Sequence, residues 1–145
     1  VFENCFRLLV TGWLAAAFLS GCGGKSADFL PPTPTPPDFA TGDAARGEQL
    51  FLRPVIGAAM APGCRNCHLV DSDLPLIGPS LQGVGSRAQS AETGLSADLF
   101  LYYAIVDPNR HLTPGYSPDV MYQEYATALT SAEIADLVAF MRSLE

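Results

Sequence analysis

Apolar residues recur along this chain in three rhythms, and each predicts a different element. From Leu8 to Leu19 they are nearly unbroken, with Arg7 as a weak positive start. That pattern predicts an export leader. From Gly23 to Ala40 the rhythm is lost, and Pro31, Pro32, Pro34, Pro36 and Pro37 take over. Such a run favours polyproline II, which has no internal hydrogen bonds, and the segment could reach roughly 50 Å. It reads as a semi-rigid arm. Beyond residue 41 the spacing becomes helical. Asp43 to Phe51, behind a Thr41/Asp43 cap, predicts a short helix with Gly47 and Phe51 on one face. Ser96 caps an apolar segment, Ala97 to Val106, halted at Asp107-Pro108. Thr130-Ser131-Ala132-Glu133 is a capping box, opening a helix with Ile134, Leu137, Val138 and Met141 on one stripe. Between these elements the chain is Gly- and Pro-rich loop with almost no strand-like alternation. The expectation is an all-α domain over residues 41–145, behind a leader at 1–21 and a linker at 22–40.

At 145 residues the chain is one small domain with extras. About a hundred residues remain to build a core, and a held cofactor would give so small a domain an apolar centre. The formal net charge of −7 and the absence of basic clusters exclude nucleic acid as a partner. Lys25 is the only lysine.

Chemistry concentrates in Cys64-Arg65-Asn66-Cys67-His68. Two thiols at this spacing add across the vinyl groups of haem, and the adjacent imidazole reaches the iron from one side. A thioredoxin-like redox pair would need strand–helix–strand context. A zinc site would need four ligands, whereas Cys5 and Cys22 lie in or at the leader and His111 is the one other histidine. The motif therefore predicts a single covalent haem c, with His68 as proximal ligand.

Two resemblances follow from these residues. Leu19-Ser20-Gly21-Cys22 resembles the lipobox of bacterial lipoproteins, which implies cleavage before Cys22 and a lipidated cysteine at the new N-terminus. A retained helix is the alternative, but Phe6 to Cys22 would span only about 25 Å of a roughly 30 Å hydrocarbon core. Either outcome ties the domain to a membrane on its extracytoplasmic side. Residues 41–145 resemble class I cytochrome c in the order of their motifs: the first helix, the haem loop, Gly78-Pro79-Ser80-Leu81, Met121 and the capped last helix. The resemblance implies that Gly47 and Phe51 meet Phe140 where the terminal helices cross. It also implies that the Pro79 carbonyl accepts from the second nitrogen of His68, a bond that orients the ring and tunes the iron. The chain departs from that pattern by inserting Arg53 to Gly63 before the first haem cysteine. We read the insertion as lining a docking surface, with a neutral loop as the alternative.

The sixth iron position has four candidates. Met121 occupies the irregular stretch where the family places its thioether. Met141 falls on the apolar stripe of the last helix, Met60 lies very close before the haem motif, and His111 would make a bis-histidine iron of lower potential. Arg87, Arg110, Tyr102 and Tyr103 are candidate propionate partners, since buried carboxylates need donors. Arg110, in the loop leading to Met121, is favoured.

The expected function is one-electron transfer with no catalytic base or nucleophile, as a non-catalytic subunit of an oxidoreductase complex. The stretch from Pro108 through Met121 is similar to membrane-anchored monohaem cytochromes of respiratory and photosynthetic complexes, such as the monohaem lipoprotein of alternative complex III. That implies a quinol-oxidising complex and a downstream acceptor as partners. A free-standing anchored shuttle to a terminal oxidase or reaction centre is the alternative. A haem peroxidase or a diatomic-gas sensor would require an open sixth position. Contact with the partner is expected through an uncharged haem-edge patch.

Overall fold

Helices form in this chain where a side-chain cap and an apolar stripe coincide. The computed structural model describes residues 34–91 and 93–145. The leader, Cys22 and the arm as far as Thr33 lie outside the described residues. Helix α1 (Ala44–Phe51) starts where the Asp43 carboxylate accepts from the Ala45 and Arg46 amides. Helix α3 (Ala97–Val106) starts on Ser96, which accepts from Leu99 N–H. Helix α5 (Ser131–Ser143) opens with both halves of its capping box made between Thr130 and Glu133. All three stand where the hydrophobic spacing predicts them.

Helix α5 packs against α1 most extensively and against α3 and α2 as well. Gly47 permits the α1–α5 crossing, because a Cβ there would fall 2.0 Å from the Asp136 carbonyl oxygen. Phe51 and Phe140 meet beside it with ring centroids 5.4 Å apart. Within the same interface Asp136 is buried. Its carboxylate accepts from Asp43 N–H at 2.7 Å and from Arg46 at 2.8 and 2.9 Å. Nothing in the hydrophobic pattern announced this polar tie.

Two further helices occupy stretches expected to be loop: α2 (Val84–Ser90) and α4 (Tyr125–Ala128). Helix α2 is rich in Gly and Ser, poor helix formers, and tertiary contact compensates. Val84 and Ala88 are buried in it, and Gly85 N–H donates to Leu144 O at 2.8 Å. The all-α expectation also needs one amendment. The Arg53–Gly63 insertion folds as an antiparallel ribbon of β1 (Val55–Ile56) and β2 (Ala61–Pro62), pairing Val55 with Pro62 and Ile56 with Ala61. Strands of two residues are too short to leave a periodic signal.

Packing begins within the segment read as linker. The Tyr102 hydroxyl donates to Pro34 O at 2.7 Å, and Phe39 stands edge-on to Tyr102 at 6.0 Å. Among the described residues no helix is long and apolar enough to cross a membrane.

Candidate functional site

A 3-10 turn at Cys64–Asn66 presents the haem-type motif to a large apolar cavity. His68 N–H returns to Cys64 O at 3.0 Å, and Gly78 N–H reaches Cys67 O at 2.8 Å, so the loop is closed on itself and onto the Pro79 turn. Both thiols are free, and Cys64 and Cys67 are half-buried. Burial pushes the Cys64 thiol up to about 11, so the folded chain alone keeps it protonated.

His68 is oriented from behind. Its Nδ1 stands 2.7 Å from the Pro79 carbonyl oxygen, which makes Nδ1 the protonated donor and leaves Nε2 as the free lone pair. Burial lowers the imidazole pKa and so favours the neutral ring a metal requires, while the Pro79 carbonyl pulls the other way. A Cβ on Gly78 would lie 2.4 Å from His68 Cε1, so the glycine leaves room for the ring.

In front of the ring is a cavity of about 790 Å³ whose walls include Cys64, His68, Leu101, Ile105, Leu137 and Met121. A neighbouring cavity of about 390 Å³ shares Cys64, His68, Met121 and Tyr125 with it and adds Cys67 and Ile77. Space, apolar walls, two thiols on one loop and an imidazole with a free nitrogen fit a covalently attached haem. Among the described residues no three His, Cys, Asp or Glu side chains cluster as a metal site.

Three of the four sixth-ligand candidates reach the larger cavity: Met121, Met141 and His111. Met121 alone of these also lines the smaller cavity beside Cys67 and His68. Met141 is buried on α5 within the core. His111 is exposed, its ring 5.8 Å from Phe100. Met60 is 69% exposed on the ribbon turn and lines neither cavity.

The two arginines part company. Arg87 lines the larger cavity and donates to Ser80 O at 2.9 Å and to Gln82 O, gripping the loop that carries Pro79. Arg110 instead lies 3.9 Å above the Tyr103 ring, a cation–π contact, and is not among the residues lining either cavity. Tyr102 is likewise committed elsewhere, to Pro34. Thr93 and Tyr125 line the cavity without having been singled out from the sequence. Tyr125 lies four residues beyond Met121 in a stretch with no motif, so only the folded chain reveals it.

Comparison with known proteins agrees with this geometry. The family model described as Cytochrome c matches residues 44–145. No curated protein and no solved structure matches the chain.

Proposed function

The chain belongs to the cytochrome c family, whose members hold haem c covalently and transfer electrons, and from that premise we propose a membrane-tethered, one-electron carrier with Met121 opposite His68. When bound, the haem supplies a ferric/ferrous couple that takes up and releases one electron. The chain's own residues do the rest. Cys64 and Cys67 tether the group, and His68 is held by Pro79 in the tautomer that offers Nε2. Arg87 steadies the Pro79 loop through Ser80 and Gln82. The apolar walls would shield a bound haem from water, which would disfavour the more highly charged oxidised state and raise the potential.

The observation that carries the reading is the juxtaposition of a carbonyl-anchored His68, Cys64 and Met121 around the same two cavities. His68 and Met121 are the residues that would hold the iron, and an iron held so by protein would suit a relay, because small molecules would find no free position. The finer reading is of a monohaem lipoprotein on the extracytoplasmic side of the membrane, held through Cys22. Its place is as a subunit of a quinol-oxidising complex, passing electrons to a downstream acceptor. An apolar patch supports that docking: Ile77 and Val120, 59% and 57% exposed, stand at the rim of the smaller cavity beside Cys67, with Leu74 and Leu76 on the Ile77 loop also exposed. Exposed apolar patches of this kind mark protein contacts.

Intact-mass analysis of detergent-extracted protein tests the assignment in one measurement. The expected mass is that of the chain from Cys22, one diacylglyceryl group and one haem that survives acid-acetone extraction. Release of the haem would overturn covalent attachment. Peptides spanning Gly21 to Gly23 would replace the lipid anchor with a retained helix.

A further inference from the structure

The ribbon of β1 and β2 touches both loops that enclose the site. At its base Gly63 N–H donates to Pro54 O at 2.9 Å, and the Asn66 side chain, inside the haem loop, donates to the same carbonyl at 2.8 Å. On its other side Gly57, at φ +69°, is pressed onto α4: a Cβ there would fall 2.1 Å from Ala128 O. Ile56 and Ala61 are buried between. The Tyr125 hydroxyl then donates to Pro62 O at 2.6 Å, joining residues 63 apart in the chain. Tyr125 is buried, packs edge-on to Tyr122 at 5.0 Å, and lines both cavities together with Met121.

We propose that the insertion is a brace that keeps the Met121 loop closed over the cavity, with Tyr125 as the positioning residue that latches the loop to Pro62. The inference rests on the reading of Met121 as sixth ligand and adds what controls its hold. A side chain on a loop leaves its metal when the loop opens, and the open population is set by the contacts the loop and its flanking helix make. Helix α4 has only four residues and cannot hold itself, so its position depends on what it packs against. Burial raises the Tyr125 pKa, so the phenol remains a neutral donor to the Pro62 carbonyl across the physiological range. Opening the loop breaks that bond and separates Gly57 from the Ala128 carbonyl. The brace therefore acts on ligand exchange, an effect distinct from overall stability.

Exogenous imidazole reports it, because imidazole binds the iron only when the protein ligand has left, and its apparent affinity follows the open fraction. The ferric holoprotein is titrated with imidazole while the far-red sulfur-to-iron band is followed. Tyr125→Phe keeps the band without imidazole but binds imidazole about fivefold more tightly, the effect of one lost hydrogen bond. Gly57→Ala, which drives the ribbon off Ala128, shifts affinity the same way. Asp136→Asn, which weakens the α1–α5 tie to Asp43 and Arg46, leaves it unchanged. Wild-type affinity in both Tyr125→Phe and Gly57→Ala overturns the brace, and so does an equal rise in Asp136→Asn, which would mean general loosening. If one of these two variants fails to retain haem, the other decides. Failure of the Met121 reading is separate: the wild-type band would be missing, or would survive Met121→Ala.

Discussion

Asp136 is the residue whose ionisation the fold exploits most directly. Hydrogen bonds from Arg46, then the Asp43 amide, hold its carboxyl below the usual carboxylate range against the opposing effect of burial. A depressed folded-state pKa gives stability that is complete above the usual carboxylate value near pH 4 and is lost as the pH falls through the folded value. The Arg46 side chain is 60% exposed, so solvent screens its share, while the half-buried bond from the Asp43 amide persists. Asp136→Asn is therefore expected to cost about 2 kcal/mol near neutral pH, in the range for bonds to a charged group. The difference from wild type should shrink below pH 4. Urea unfolding across a pH series measures it, and a difference independent of pH would remove the charge from the explanation.

Among the elements, the α1–α5 crossing joins the two ends of the domain and sets the back wall of the cavity through Phe51, Leu137 and Met141. Its close approach depends on Gly47, where an added methyl meets backbone and not a yielding side chain. Gly47→Ala gains about 1 kcal/mol in helix propensity. Forced separation of packed helices costs about 1–3 kcal/mol, and here the clash is with a carbonyl, which places the cost at the upper end. The net expectation is a loss of about 2 kcal/mol, seen as a lower denaturant midpoint with an unchanged m-value. An unchanged midpoint would show that α1 can shift freely. The ribbon is a second element with a positional task, since Gly57, Pro62 and Gly63 connect α4 to the haem loop.

For the whole molecule, the docking proposed above rests on charge and apolar surface together. The net charge is −7, and Asp71, Asp73 and Asp119 are exposed in the two loops that carry Ile77 and Val120. If the apolar centre dominates docking, Val120→Asp lowers quinol-driven reduction of the carrier in native membranes about tenfold, as loss of one well-buried interface contact does. The wild-type rate then changes only about twofold between low and physiological salt. A steep fall with salt would instead assign the contact to those carboxylates and a basic partner. The tether proposed above, if present, favours the first outcome, because a carrier held near its neighbours works through weak contacts at high effective concentration.

Whatever chemistry or periodicity is written locally could be read along the chain. Cys64, Cys67 and His68 lie within five positions, so the joint role proposed for them is read without a fold. The helices starting after Asp43, Ser96 and Thr130 were legible because a cap and its stripe lie within a few residues of each other. The remainder depends on residues brought together from far apart. Arg46 finds Asp136 across 90 positions and Tyr125 finds Pro62 across 63. The choice between two similar arginines is of the same kind: Arg87 grips the Pro79 loop while Arg110 is spent on Tyr103, and no local pattern distinguishes them. Likewise α2, α4 and the ribbon are stabilised by burial against other elements more than by their own propensity, so only the tertiary structure could decide them.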